Sequence, residues 1–203
     1  TMSREQAFTR YVSHELRTPM MVVRGGLSVL RKSADEKSTK QITRIDKAIS
    51  EMESLTQTFL LLARNEEKDE EQLEISQALI SEIVTNQQDL AIANSVALAY
   101  SASENFMLTV YRQLFNVLAN NLLKNAINCS LGGEVNLNIT STKMEVIDNG
   151  IGLEQKPRGY EGFGIGLNIV RDICEKYGWT FELTSNETKG CTAIVLFNSP
   201  STL

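Results

Sequence analysis

Hydrophobic residues within positions 3–65 recur at intervals of three and four, the spacing of one face of an α-helix. Two such helices are predicted, joined by the polar stretch KSADEKST at 32–39. The first carries an apolar face of Phe8, Val12, Leu16, Val23, Leu27 and Leu30. The second carries a heptad seam of Ile42, Ile45, Ile49, Met52, Phe59 and Leu62, with Thr56 at the remaining core position. Because two helices bury little surface, we expect this hairpin to pair with a second copy into a four-helix bundle.

The pattern changes after the charge run RNEEKDEEQ at 64–72, which is either a solvated helix end or an interdomain hinge. We interpret it as a hinge and predict domains at 1–66 and 74–203, with a linker at 67–73. Apolar periodicity in the second domain predicts helices at 76–93, 111–129 and 164–177. Alternating runs predict strands at 96–100, 134–140, 143–148, 180–185 and 192–197. The expected fold class is therefore a helical hairpin followed by an α/β sandwich with helices on one face of a sheet.

Composition excludes several function classes. The chain has 203 residues, of which 42% are hydrophobic and 22% charged, and its formal net charge is -5. An acidic balance gives no attraction to nucleic acid or anionic membrane surfaces. Cys129, Cys174 and Cys191 are an odd number without CxxC spacing, so we expect neither a disulfide framework nor a zinc site, in a reducing compartment. No apolar run approaches the ~20 residues of a spanning helix, and the start TMSREQAF suggests a fragment of a longer protein.

The chain contains one histidine, His14, in the polar segment SHELRTPM. A zinc-protease helix would require HExxH, but Thr18 stands where the second histidine would be. A lone histidine is by default a core residue. Here, however, Glu15 could accept a proton from one ring nitrogen and leave the other as a nucleophile. Thr18, one helical turn later, could orient a water molecule. The residues leave the core and nucleophile interpretations open, and the polar surroundings favour the nucleophile.

Three residues that disfavour helix lie at the end of this segment or shortly after it. Pro19 removes a backbone donor and bends a helix, either for function or for packing. Gly25 and Gly26 each cost a helix roughly 1 kcal/mol relative to alanine. They indicate either tight packing or a surface that a partner's backbone can approach closely.

The second domain contains candidate nucleotide-binding residues. Asn121 and Asn125, in NNLLKNAINCS, lie on one face of a predicted helix and offer amide oxygens to a cation such as Mg²⁺, although an ordinary polar face has the same pattern. Asp148, at the end of a predicted strand in VIDNGIGL, could accept a hydrogen bond from an adenine amino group, and Asp-Asn-Gly is also an ordinary turn. The segment GFGIGLNIV leads glycines into a helix, where backbone amides can approach phosphates. Its spacing is neither GxGxxG nor a P-loop.

Taken in order, these motifs resemble those of sensor histidine kinases of two-component signalling, over nearly the whole chain. SHELRTPM is similar to the phosphoacceptor box, NNLLKNA to the N box, and DNGIGL and GFGIGL to the two glycine boxes. The resemblance implies a dimerisation and phosphotransfer hairpin followed by a gyrase-like ATP-binding domain. It further implies that His14 attacks the γ-phosphate of ATP with Glu15 as the base, that Thr18 positions water for phosphatase activity, and that Asn125 binds Mg²⁺. The residues that it assigns to the nucleotide are Asn121, Asp148, Gly150, Gly152, Lys156, Arg158, Gly162, Gly164, Gly166 and Leu167.

The sequence departs from the family pattern at several positions. Asn128 and Cys129 stand where the family commonly has a basic residue and a tyrosine, and Cys191 follows Gly190 in place of a serine or threonine. Only EQKPRGYE (154–161) separates the two glycine boxes, where the family has a longer ATP lid with a phenylalanine-containing box. That box is missing unless Tyr160 or Phe163 replaces it, and the remaining lid cations are Lys156 and Arg158. Lysine and arginine side chains at these two positions are also typical of a solvated loop.

The resemblance therefore predicts an ATP- and Mg²⁺-dependent histidine kinase that passes phosphate from His14 to a response-regulator aspartate and also acts as a phosphatase of that regulator. We expect a homodimer that binds no nucleic acid, in a cytoplasmic segment of a parent protein anchored in the inner membrane. An alternative is an ATP-binding regulatory or phosphatase module whose short lid leaves little autokinase activity. A gyrase-like chaperone or topoisomerase ATPase is disfavoured because it explains neither the histidine box nor the hairpin.

Overall fold

A computed structural model of the chain describes residues 19–62, 72–152 and 165–197. The chain divides into two compact units, Thr1–Glu66 and Glu67–Leu203, which are called the hairpin and the sandwich below. No helix within the described ranges is long and apolar enough to cross a membrane. The linker predicted at 67–73 overlaps the first strand of the sandwich, which begins at Gln72.

The hairpin consists of helix α1, helical over the described residues 19–31, and helix α2, Glu36–Leu62. The connection is shorter than the predicted 32–39 because Asp35 starts α2 early. Its carboxylate accepts the backbone N–H of Ser38 at 2.8 Å and its carbonyl accepts that of Thr39 at 2.9 Å. This satisfies amides that would otherwise lack a partner at a helix N-terminus.

The two predicted apolar faces are only partly buried by each other. Met20, Leu27, Ile42 and Ile49 form a buried cluster between the helices, and Ala34 packs against it. Five other members of the faces stay 45–58% exposed: Val23, Leu30, Ile45, Met52 and Phe59. An exposed apolar row of this kind on so small a unit is typical of an interaction surface.

The sandwich contains two sheets and four helices within the described residues. In chain order the elements are β1 Gln72–Ile75, α3 Gln77–Thr85, α4 Gln88–Ala93, β2 Ala97–Ala102, β3 Phe106–Thr109, α5 Arg112–Cys129, β4 Glu134–Ile139, β5 Lys143–Asp148, α6 Ile165–Tyr177, β6 Thr180–Ser185 and β7 Cys191–Leu196. The main sheet has the order β2-β4-β5-β7-β6, in which β2 and β4 are parallel and the other pairs antiparallel. β1 and β3 form a separate antiparallel pair.

The core lies between one face of the main sheet and the helices. Alternate residues of β4 and β5 are buried, as the strand period of two requires: Val135, Leu137, Ile139, Met144 and Val146. α5 contributes an almost fully buried face that includes Leu114, Phe115, Leu118, Leu122 and Ile127. The predicted fold class, a helical hairpin followed by an α/β sandwich, is confirmed.

Two local predictions were wrong. The single helix expected at 76–93 is broken into α3 and α4 at Gln87, whose side chain is buried and donates to the Asn120 Oδ1 of α5 at 2.9 Å. The apolar periodicity continues across the break and therefore could not reveal it. β1 and β3 were not predicted because each has four residues and β1 directly follows a charge run.

Candidate nucleotide-binding site

The described part of the chain contains only some of the predicted site residues. The phosphotransfer residues His14, Glu15 and Thr18 lie outside it, and so do the lid residues Lys156, Arg158, Tyr160, Gly162, Phe163 and Gly164. The residues that can be placed are Asn121, Asn125, Asp148, Gly150, Gly152, Gly166 and Leu167. All of them lie in the sandwich, on α5, on the turn after β5, or at the start of α6.

Asp148 is a buried carboxylate at the end of β5, with 6% of its surface exposed. Its Oδ1 accepts the backbone N–H of Gly150 at 2.8 Å, so the chain turns immediately after the strand. The turn is joined to the last residue of α5, because the N–H of Ile151 donates to the Cys129 carbonyl at 3.1 Å. The end of the N-box helix and the first glycine box therefore meet at Asp148.

The environment of Asp148 makes it an unusual acid. Burial raises the pKa of its carboxyl above the usual value, and hydrogen bonds from the backbone of Gly150 and Cys191 oppose the rise. A partly desolvated acceptor of this kind fits a neutral N–H donor such as the amino group of adenine.

Asn121 of the N box lies close to Gly166 of the second glycine box. Its Nδ2 donates to the Val117 carbonyl at 2.7 Å, which fixes the amide, and its Oδ1 lies 2.8 Å from the position that a Cβ on Gly166 would occupy. The start of α6 can thus approach α5 this closely because residue 166 has no side chain. Leu167 follows and is half-buried. Backbone amides at such a helix start are suited to phosphate.

Asn125 lies one turn after Asn121 on α5 and is half-buried. No group of three or more His, Cys, Asp or Glu side chains that could hold a metal occurs among the described residues. A cation at Asn125 would be held by the amide oxygen together with phosphate oxygens and water, which is a mode that Mg²⁺ uses in nucleotide enzymes. The residues present fit Mg²⁺ bound with a nucleotide.

The three cysteines are all poor nucleophiles in this structure. Burial raises the pKa of Cys129 to about 11, with smaller contributions from the Asp148 carboxylate and Cys191. Burial also raises the pKa of Cys174 to about 12 and, together with Asp148, that of Cys191. The thiols are thus protonated at neutral pH and unreactive. No disulfide joins them.

Sequence reasoning missed two asparagines that support this site. Asn149 accepts the backbone N–H of Glu134 at 2.8 Å through its Oδ1, which ties the turn to the start of β4. Asn186 donates from Nδ2 to the Asp148 carbonyl at 2.8 Å. Asn149 lies in the Asp-Asn-Gly turn, in which only Asp148 and Gly150 were assigned a role. Asn186 lies in SNETKG, which is typical of an ordinary loop between strands.

Comparison with known proteins gives the same order of domains. Residues 4–68 match the family described as His Kinase A (phospho-acceptor) domain. Residues 109–201 match the family described as Histidine kinase-, DNA gyrase B-, and HSP90-like ATPase. The chain thus carries one domain of each of these two families. The resemblance to sensor histidine kinases seen in the sequence is thereby confirmed, and the second match implies ATP binding.

Relatives of known name align along almost all of the chain. The sensor protein CiaH of Streptococcus pneumoniae is 26% identical over 215 residues, which cover 94% of this chain and 48% of CiaH. The sensor protein QseC of Salmonella typhi is 27% identical over 214 residues, which cover 96% of this chain and 48% of QseC. The chain thus spans about half the length of these relatives. The solved structure of the Acinetobacter baumannii histidine kinase AdeS has the same fold, with a TM-score of 0.63 at 19% identity, over 91% of this chain and 97% of that one.

Proposed function

We propose that this chain is an ATP-dependent autophosphorylating histidine kinase. A ring nitrogen of His14 attacks the γ-phosphorus of ATP, the bond from that phosphorus to the β–γ bridging oxygen breaks, and ADP leaves with the electron pair. The proton on the other ring nitrogen is accepted by Glu15. The observation that carries the proposal is the convergence of the N box and both glycine boxes, through Asn121, Asp148 and Gly166, on one site of the sandwich.

Within the site, each group has a separate task. The Asp148 carboxylate accepts a hydrogen bond from the adenine amino group, and Gly150 and Gly152 form the floor of the base pocket. Asn125 holds Mg²⁺ and Asn121 lies in the same site. Bound Mg²⁺ neutralises phosphate charge, which is the main requirement of phosphoryl transfer. Gly162, Gly164, Gly166 and Leu167 line the phosphates, and Lys156 and Arg158 of the lid contact the γ-phosphate.

The imidazole of His14 is suited to this reaction at neutral pH. An uncharged imidazole has a free electron pair on one ring nitrogen and can attack phosphorus directly. The barrier then depends on bringing the ring nitrogen and the γ-phosphorus into line rather than on generating the nucleophile.

The hairpin supports a homodimer with a response-regulator partner. Burying the exposed row of Val23, Leu30, Ile45, Met52 and Phe59 against a second copy would complete a four-helix bundle. Phosphohistidine then passes its phosphoryl group to a receiver-domain aspartate, and Thr18 orients the water that later removes it. We place this segment in the cytoplasm, in a parent protein anchored to the inner membrane.

A second candidate function is an ATP-binding regulatory or phosphatase module. It is favoured by Cys129, a protonated thiol beside Asp148 at a position where the family commonly has a tyrosine. It is also favoured by the short segment between the glycine boxes. In this case the chain binds ATP without transferring its phosphate.

The test is transfer of label from γ-labelled ATP in the presence of Mg²⁺. Wild type, His14→Gln and Asn125→Ala are compared, with Asn138→Ala as the matched asparagine control, because Asn138 lies on β4 and bonds the Ser101 hydroxyl at 3.1 Å. We expect acid-labile, base-stable label on wild type and the control, and none on the other two variants. Measurable ATP binding without label on wild type would contradict the kinase and favour the regulatory module.

A further inference from the structure

The loop between β6 and β7, residues 186–190, lies against the backbone of Asp148. Asn186 is the first residue of this loop, and both the nitrogen and the oxygen of its side-chain amide form hydrogen bonds. Its Nδ2 donates to the Asp148 carbonyl at 2.8 Å and to the Lys189 carbonyl at 3.3 Å. Its Oδ1 accepts the Thr192 hydroxyl at 2.6 Å. The amide is therefore held in one orientation by three partners.

Gly190 closes the loop on the same peptide group. A Cβ on Gly190 would lie 2.0 Å from the carbonyl oxygen and 2.6 Å from the carbonyl carbon of Asp148. Its φ of +88° is a second reason for glycine at this position. The loop backbone thus lies in direct contact with the peptide that joins Asp148 to Asn149, and its approach leaves no room for a side chain.

These contacts hold the main chain of Asp148, in addition to the hydrogen bond that holds its carboxylate. The carboxylate is oriented by the Gly150 N–H, while the Asp148 carbonyl is oriented by Asn186. Rotation of the peptide after Asp148 would change the direction of both the side chain and the turn. A hydrogen bond that resists this rotation therefore sets where the carboxylate points.

We propose that Asn186 is a positioning residue for recognition of the purine base. It acts through the Asp148 main chain and contacts no nucleotide itself. The inference rests on the proposed role of Asp148 as the acceptor for the adenine amino group. Asparagine suits the task because the site demands two N–H donors and one acceptor from a single short side chain. Aspartate at this position would set a carboxylate against the carbonyls of Asp148 and Lys189.

The test compares two nucleotides that differ only in the group that Asp148 would bind. Dissociation constants of ATP and of purine riboside triphosphate, which lacks the 6-amino group, are measured by calorimetry on the whole chain with Mg²⁺. Wild type should prefer ATP by roughly 10–100-fold, the range for a hydrogen bond to a charged group. In Asn186→Ala we expect this preference to fall below about threefold while the affinity for purine riboside triphosphate stays nearly constant. Asn138→Ala, the asparagine control on β4, should retain the wild-type preference.

The outcomes separate this inference from the function on which it rests. A folded Asn186→Ala variant with the full preference for ATP would overturn the positioning role and leave Asp148 as the base acceptor. Equal weakening of both nucleotides would also overturn it, because a merely structural residue has that effect. If wild type itself shows no preference, the role of Asp148 fails and the inference fails with it.

A second variant covers the case in which Asn186→Ala does not fold. Thr192→Val removes the hydroxyl that donates to the Asn186 Oδ1 and keeps the shape of the side chain. We expect it to reduce the ATP preference by about threefold or more, because the amide loses one of the partners that orient it. An unchanged preference in Thr192→Val would overturn the positioning role.

Discussion

Gly150 lies so close to the Cys129 carbonyl that a Cβ on residue 150 would stand 2.2 Å from the carbonyl oxygen. The same carbonyl accepts the Ile151 N–H, and the Gly150 N–H donates to the Asp148 carboxylate. One close contact between α5 and the turn after β5 therefore holds the backbone that presents Asp148. The requirement for glycine here is steric and local to the candidate site.

Replacing Gly150 with alanine should damage both folding and binding. The added Cβ must displace the end of α5 or the turn, and either shift breaks the Gly150–Asp148 hydrogen bond. We expect a loss of about 3 kcal/mol or more in the unfolding free energy, in the range for overpacking and backbone strain. Urea unfolding followed by circular dichroism measures it.

The matched control for Gly150→Ala is Gly132→Ala. Gly132 has a φ of +72° but no atom within 4 Å of its Cβ position among the described residues. We expect this variant to lose only about 1 kcal/mol, the cost of a left-handed alanine. Equal losses in the two variants would show that the Cys129 contact is not the reason for glycine at position 150.

Asp148→Asn should weaken nucleotide binding without weakening the fold at neutral pH. Burial raises the pKa of this carboxyl, so the folded state holds the proton more tightly than the unfolded state does. Its contribution to stability is full below the unfolded pKa of about 3.9 and is lost as the pH rises through the folded pKa. Once ionised, the buried carboxylate therefore opposes folding, whereas an uncharged amide does not.

The measurement for Asp148→Asn is the unfolding free energy of both proteins between pH 3 and pH 8, together with the dissociation constant for ATP. We expect equal or greater stability of the variant at pH 7, a stability difference that moves in favour of wild type as the pH falls, and ATP binding weakened roughly 10–100-fold. Lower stability of the variant at pH 7 with unchanged ATP affinity would make Asp148 a structural residue.

The sequence predicted those parts of the fold that depend on a repeated local pattern. β4, β5 and β7 alternate buried and half-buried positions, and α5 carries a continuous apolar face, so all four were found within one residue of their ends. The Asp148 turn was also recognised, because aspartate, asparagine and glycine are turn formers. These features lie in neighbouring residues and need no tertiary information.

The sequence could not predict features that depend on contacts distant along the chain. The break between α3 and α4 exists because Gln87 reaches Asn120, 33 residues later. Asn186 supports Asp148 across a sequence separation of 38 residues, and no local pattern marks it. For the same reason the requirement at Gly150 comes from Cys129, which the glycine box does not contain.

We predict that, among the described residues of the hairpin, Arg24 makes the polar contacts that contribute most to the unfolding free energy. Its guanidinium bonds three residues of one face of α2: Glu53 at 2.9 Å, the Ser50 hydroxyl at 2.6 Å and Asp46 at 3.4 Å. Because its side chain is 42% exposed, solvent screens these ion pairs. We expect Arg24→Ala to lower the unfolding free energy by about 1 kcal/mol. Arg24→Lys should retain less than half of this contribution, because an ammonium group lacks the planar set of donors with which a guanidinium binds several acceptors at once.

The control for Arg24 is Lys40→Ala. Lys40 pairs with Glu36 within α2, and both side chains are more than two-thirds exposed, so we expect a change within about 0.5 kcal/mol. Thermal unfolding at 0.1 M and 1 M salt should show a smaller difference between Arg24→Ala and wild type at the higher salt. A loss in Lys40→Ala as large as that in Arg24→Ala would contradict the special role of the forked contact.

Gly25 and Gly26 indicate, from the sequence, either tight packing or a surface that a partner's backbone can approach closely, and experiment can decide between the two. Nothing among the described residues lies within 4 Å of a Cβ built on either glycine, so the hairpin itself does not require the small residue. On helix propensity alone, Gly25→Ala and Gly26→Ala should each raise the unfolding free energy by about 1 kcal/mol. Hydrogen exchange of the amides of α1 in the whole chain measures this gain at the helix concerned. A loss of protection in either variant would instead show that a second backbone, such as that of another copy of the chain, packs against this face.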